Sequence, residues 1–171
     1  MKVLVAYASR HGSTAEIAER IGARLREAGH EVEVERVDEI ADVDGCDAVV
    51  LGSAVYVGKW LEPARSFVDA HAATLCSRRV WLFSSGPLGE PPRPEADHCV
   101  DVANIVEATR AIEHQVFAGR LDRSTLGVGE RAVARLVKVA EGDFREFDAI
   151  DEWADEIARV CTLSGQAIQT S

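Results

Sequence analysis

Residues Ser9-Arg10-His11-Gly12-Ser13-Thr14 gather three hydroxyls, a guanidinium and an imidazole around one glycine. That set suits the holding of an anion. It follows the abrupt end of an apolar run, Val3-Leu4-Val5-Ala6-Tyr7-Ala8, and precedes a helical pattern that starts near Ala15. A loop between the carboxyl end of a strand and the amino end of a helix offers backbone N–H groups with no intrahelical partner. The helix dipole adds partial positive charge at the same place, and together they make an anion site. Gly12 lets the chain turn tightly and approach a ligand closely. The expected ligand is a phosphate. The same residues also have a purely structural reading, a capping box with Ser13 as N-cap and Glu16 three residues later.

Other phosphate loops fit less well. The GxxxxGK[ST] loop is absent, and with it the lysine that reaches the phosphates. A dinucleotide fingerprint needs GxGxxG at this joint, where only Gly12 stands. A phosphoacceptor receiver would place acidic residues at the end of the first strand, and this chain has Tyr7-Ala8-Ser9.

The elements that position the joint follow from periodicity. The run Val3–Ala8 is apolar throughout, as in a strand covered on both faces. Ile17, Ala18, Ile21, Leu25 and Ala28 then share one helical stripe, with Gly29 as the expected C-cap. Glu31 to Arg36 alternates polar and apolar and reads as a strand at or near an edge. Ala48–Leu51 predicts a third strand ending at Gly52-Ser53, and Val80–Phe83 a fourth ending at Ser84-Ser85-Gly86. Between them Leu61–Leu75 is helical, with Phe67, Val68, Ala72 and Leu75 inward. Pro87–Pro94 is a proline-rich loop, Ala96–Ala111 a helix, His114–Ala118 a short fifth strand and Ala149–Val160 the closing helix. Strands alternating with helices imply a parallel α/β sheet with right-handed crossovers.

Composition bounds the function classes. The 171 residues carry a net charge of −10, which argues against a nucleic-acid binder. Lys2 leads directly into strand-like residues rather than into a long apolar leader, and no stretch reaches the about 18 apolar residues of a spanning helix. A cytoplasmic protein is expected. Cys46, Cys76, Cys99 and Cys161 form no CxxC pair, so separate reduced thiols are expected and no metal site. His71, His98 and His114 lack metal spacing and read as structural or exposed.

With these elements in place, Ser9–Thr14 resembles the phosphate loop of the flavodoxin family, T/S-x-T-G-x-T directly after the first strand, although His11 stands where that family has a hydroxyl residue. The resemblance implies a flavodoxin-like three-layer α/β sandwich, a five-stranded parallel sheet in the order 2-1-3-4-5, with FMN as cofactor. It implies that Ser9, Arg10, His11, Gly12, Ser13 and Thr14 hold the phosphate. The loops after the third and fourth strands, Ser53-Ala54-Val55-Tyr56-Val57-Gly58 and Ser85-Gly86-Pro87-Leu88-Gly89, would enclose the flavin ring. Ligands in such sheets lie at the carboxyl ends of the strands, where the strand order switches. Tyr56 can stack on one face of the ring. Trp60 lies slightly further on and either joins it or packs under the loop. The fourth-strand loop has no aromatic residue, which leaves the other face open to a substrate.

A segment of nearly thirty residues separates the fifth strand from the last helix. Within it Glu130–Glu141 has its own amphipathic pattern, flanked by Arg131, Arg135 and Lys138. The chain thus reads as one domain over 1–163, with a helical insertion at 119–147 after the fifth strand and a flexible tail at 164–171. The insertion, the "FAG" end of the last strand and the run "GDFREFDAIDEWADEIA" resemble the menaquinone-dependent protoporphyrinogen oxidase branch. That resemblance implies an FMN enzyme of haem synthesis that passes electrons to a quinone, with weak peripheral membrane contact through 130–141. The family's insertion is rich in aromatic and basic residues; here Arg120–Glu130 has no aromatic residue, which implies a weaker membrane face. Two other readings stay open: a flavodoxin-type electron carrier that docks to a redox partner protein through its acidic surface, and a flavodoxin-like domain that uses a deazaflavin or no cofactor.

Overall fold

The computed structural model describes residues 1–56, 58–86, 100–121 and 142–169. Its elements are β1 (Lys2–Ala8), α1 (Ser13–Glu27), β2 (Glu31–Arg36), β3 (Ala48–Tyr56), β4 (Lys59–Trp60), α2 (Glu62–Leu75), β5 (Arg79–Gly86), α3 (Val100–Thr109), β6 (Glu113–Ala118), β7 (Arg120–Leu121), β8 (Gly142–Asp143) and α4 (Phe147–Gln169). Five parallel strands run in the order β2-β1-β3-β5-β6, and β4 pairs antiparallel with β3 at its tip. With that small hairpin strand set aside, the order is the expected 2-1-3-4-5.

The sheet is covered on both faces because its strands alternate between two apolar sets. Leu4, Ala6, Val49, Leu51, Val80 and Leu82 face α2 and α3, where Phe67, Val68, Leu75, Val102 and Ile105 meet them. Val3, Val5, Val50, Trp81 and Phe83 face α1 and α4, against Ile17, Ile21, Leu25, Ile150, Trp153 and Ile157. This is why β1, β3 and β5 read as unbroken apolar runs, while β2, at the edge, exposes Glu31, Glu33 and Glu35.

Several boundaries differ from the sequence expectation. β3 does not end at Gly52-Ser53. The parallel ladder continues through Ser53 and Ala54 to β5, and Val55 and Tyr56 then pair with Trp60 and Lys59 across a turn at Gly58, whose φ is 73°. Gly52 is no turn residue: a Cβ there would lie 2.0 Å from the Phe83 ring, so the glycine makes room for that side chain in mid-sheet. β5 likewise runs through Ser84-Ser85-Gly86 rather than stopping before them.

The capping box does not form. Gly12 is the N-cap of α1, with φ 87°, and no side chain caps the helix; instead the Gly12 N–H donates to Ser9 Oγ at 3.1 Å. At the other end the cap residue is Ala28, and Gly29 follows it at φ 88°. The Gly29 N–H donates to the Arg26 carbonyl and the His30 N–H to the Leu25 carbonyl, the two bonds of a Schellman motif.

The closing helix runs to Gln169, beyond the expected end at Val160. The insertion leaves and re-enters the domain through a short antiparallel neck, Arg120 opposite Asp143 and Leu121 opposite Gly142. The expected helix at 130–141 lies outside the described residues, as do the proline-rich loop and residues 96–99 of the expected third helix.

Candidate functional site

The joint after β1 lies at the point where the chain order reverses, since β1 is flanked by β2 on one side and β3 on the other. Ligand crevices of open α/β sheets form at such points. The loop leaves Ala8, turns through Ser9–Gly12 and enters α1 at Ser13. The Glu16 N–H closes the first helical turn onto the Gly12 carbonyl at 3.0 Å. The N–H groups ahead of it form the donor-rich start of the helix. Among the described residues, no atom lies within 4 Å of a Cβ built on Gly12, so none of them crowds that side of the turn. Thr14 is buried at 1 % exposure, while Arg10 is exposed. This geometry fits an anion held by backbone donors, with Arg10 and His11 at its rim.

Tyr56 joins this loop to the end of β3. Its hydroxyl lies 3.3 Å from His11 Nε2, and the Arg10 guanidinium carbon stands 5.3 Å from its ring centroid. Residues 45 positions apart in sequence thus converge on one spot beside the open turn. Ala54 and Val55 lead up to it as strand residues. Ser53, by contrast, is fully buried: its hydroxyl accepts from the Leu61 N–H at 3.0 Å and donates to the Ala54 carbonyl at 2.9 Å.

The β5 end contributes backbone. The Gly119 N–H donates to the Gly86 carbonyl at 2.6 Å, and a Cβ on Gly119 would stand 3.0 Å from that same oxygen. A Cβ on Gly86 would reach 3.7 Å from Val55. Gly119 therefore lets the segment after β6 close up on the end of β5, whereas a Cβ on Gly86 would make only an ordinary contact with β3. Ser85 is buried, at 3 % exposure. Val57, Pro87, Leu88 and Gly89, also expected at the ring, lie outside the described residues.

Below these strand ends runs a buried polar chain. The Trp60 indole N–H donates to Ser84 Oγ at 2.7 Å, and Ser84 Oγ lies 2.8 Å from His114 Nε2. Trp60 is 1 % exposed, so it packs beneath the strand ends. His114 has a structural partner, and His71 packs on Phe67 with centroids 4.7 Å apart. Burial pushes the Cys46 and Cys161 thiols up, which makes them poor nucleophiles.

Sequence reasoning missed Arg145. Its side chain is 3 % exposed and donates to Asp143 at 2.7 Å and to Glu16, one turn into α1, at 2.5 Å. The hydrogen bond to Asp143 above all, with Glu16 adding to it against the cost of burial, raises the Arg145 pKa further. Nothing in "GDFREF" distinguishes an arginine that turns inward from one in solvent.

The profile of the flavodoxin domain family matches residues 4–148. Protoporphyrinogen IX dehydrogenase [quinone] of Escherichia coli (strain K12) is 30% identical over 174 residues, covering 94% of this chain and 96% of that protein. Among solved structures, two-electron reduced Megasphaera elsdenii flavodoxin has a TM-score of 0.56 at 25% identity, over 67% of this chain and 84% of its own. The Streptococcus pneumoniae TIGR4 flavodoxin has a TM-score of 0.60 at 16% identity, over 93% of this chain and 99% of its own. Among the described residues no helix is long and apolar enough to cross a membrane.

Proposed function

We propose, from the premise that the chain belongs to the flavodoxin domain family, that it binds FMN and is an oxidoreductase that oxidises a porphyrinogen-type substrate at the expense of a quinone. The observation that carries the reading is the convergence of Arg10, His11 and Tyr56 at the mouth of the open turn after β1. A phosphate end and a ring end of one nucleotide would meet there. The name of the relative supplies the substrate and acceptor classes.

When bound, FMN supplies the redox chemistry. The chain's own residues bind and orient it. The amino end of α1 and Ser9, Ser13 and Thr14 hold the phosphate, and Gly12 keeps the approach clear. The Arg10 guanidinium neutralises part of its charge, and His11 stands beside it as a hydrogen-bonding group. Ala54, Val55 and Tyr56 border one side of the ring, with Ser85 and Gly86 on the other. Pro87 to Cys99 contains no Phe, Tyr or Trp, so Tyr56 is the aromatic flank and the opposite face stays accessible to a substrate. That asymmetry favours an enzyme over a carrier with a sandwiched ring. The electron-carrier reading is kept because the acidic surface also suits a basic protein partner.

The test is to identify the chromophore of the purified protein and compare the parent with a deletion of 122–141. The neck shows where to cut, since Leu121 and Gly142 are paired and a short Gly/Ser turn can join them. The enzyme reading expects the deletion to keep FMN and lose turnover of a porphyrinogen or quinone. It also expects binding to anionic vesicles to fall when Arg131, Arg135 and Lys138 are reversed in charge, and to weaken with salt. Full turnover and unchanged vesicle binding in the deletion variant would favour the carrier. A chromophore other than FMN would remove the cofactor assignment.

A further inference from the structure

Glu16, Arg20 and Arg24 are spaced four residues apart along one stripe of α1, and each is met by an opposite charge. Arg20 pairs with Asp151 at 2.6 Å and Arg24 with Asp155 at 2.7 Å, both on α4. The third pair has its signs reversed. Glu16 supplies the carboxylate from α1, and the cation, Arg145, comes from the residues that leave the insertion neck. It is also the most buried of the three cations, with 3 % of its side chain exposed against 47% and 33% for Arg20 and Arg24. Its guanidinium lies 4.9 Å from the Phe147 ring centroid, with Arg20 on the same ring at 5.9 Å.

The reversal falls at the end of α1 where an anion would bind. A carboxylate in the first turn favours the helix, because it complements the dipole. The same carboxylate opposes a phosphate one turn away. A cation fixed on Glu16 removes that conflict. The arginine does so with a fork shared between Glu16 and Asp143, and Asp143 belongs to the neck strand β8.

We propose that Arg145 is a positioning residue that cancels the charge of Glu16 beside the phosphate loop and pins the insertion neck to α1, so that selectivity for a phosphorylated flavin depends on it. The proposal rests on the phosphate-loop reading above. It makes Arg145 act through Glu16, without contact to the flavin.

The experiment compares FMN with riboflavin, which lacks the phosphate, by quenching of flavin fluorescence in the parent, Arg145→Gln, Glu16→Gln and the double variant. Arg145→Gln should weaken FMN about five- to tenfold, the size of one unneutralised charge at a partly screened distance, and leave riboflavin unchanged. The double variant should recover FMN affinity, since its local net charge again equals that of the parent. Equal losses for FMN and riboflavin, or no recovery in the double variant, would make Arg145 a merely structural residue and overturn the proposal, as would an Arg145→Gln variant that binds FMN like the parent. A parent protein that binds FMN no better than riboflavin would fail earlier, at the phosphate loop itself.

Discussion

The Trp60 indole nitrogen and the Ser84 hydroxyl are bonded at 2.7 Å beneath the ends of β3 and β5, and the bond ties the β3–β4 hairpin to the strand beside it. The hairpin carries Tyr56, so the buried tryptophan fixes the residue assigned to the flavin ring without facing the ring itself. Trp60→Phe keeps most of the apolar volume and leaves the Ser84 oxygen without its indole donor. The expected cost is about 1–3 kcal/mol in urea unfolding, with the flavin absorption spectrum unchanged. A shifted spectrum at parental stability would place Trp60 at the ring instead.

Gly52 tests the mid-sheet packing. A methyl group there would lie 2.0 Å from Phe83. Gly52→Ala should therefore destabilise by about 1–3 kcal/mol or more, as overpacked cores do, and Phe83→Leu should restore part of the loss in the double variant. Additive losses in the two-mutation cycle would show that the two residues do not share the space.

Gly12 tests the turn. Its φ of 87° lies in the left-handed region, yet among the described residues no atom stands near the missing Cβ. Gly12→Val should cost about 1–2 kcal/mol in backbone strain and, by filling the open side of the turn, weaken FMN strongly. Thr14→Ala should weaken it less, by about 1–3 kcal/mol if its hydroxyl bonds the phosphate. Unaltered FMN titrations in both variants would sink the phosphate assignment.

Tyr56 separates ring from hydroxyl. Tyr56→Phe removes the contact to His11 and retains the aromatic face, so the flavin spectrum should move little. Tyr56→Ala removes the face and should shift both absorption and reduction potential. Identical spectra and potentials in the parent and the alanine variant would mean that the end of β3 does not border the ring.

The seam between α1 and α4 sets an acid limit. The Arg20 hydrogen bond first, and its charge next, hold the Asp151 carboxyl below its ordinary value of 3.8. A folded-state pKa below the unfolded one stabilises at pH values above the unfolded pKa, and the gain is lost as pH falls through the folded pKa. Melting temperature should therefore drop below about pH 4, and Asp151→Asn should show a shallower drop. The effect is small because the pair is partly exposed. An unchanged acid slope in Asp151→Asn would show that this pair contributes nothing.

Much of this fold was legible because β1, α1 and β2 each carry one clean period, and the loop between β1 and α1 breaks it with residues of a single chemical kind. The candidate site was proposed where polar residues interrupt apolar runs, at Ser9–Thr14. It was misread where small residues serve packing rather than turning. Gly52-Ser53 resembled a strand end, but Gly52 yields space to Phe83 from the neighbouring strand, and nothing local to residues 52 and 53 reports a ring that far away in the chain. The capping box failed for a related reason: S-x-x-E permits the cap, whereas the turn at Gly12 turns the Ser9 hydroxyl to the backbone and Arg145 draws Glu16 outward into an ion pair. Arg145 itself was invisible, since burial of an arginine depends on which carboxylates the fold brings to it.

The neck between β7 and β8 has a consequence for how this chain can change. Its two facing residue pairs bring the ends of the inserted segment together before the segment begins. The domain therefore sees the insertion as a closed loop, whose entropic cost grows only with the logarithm of its length, about 0.6 kcal/mol for each doubling. Segments of different length can be exchanged at this point at little cost in loop closure, so one scaffold can carry different inserted segments.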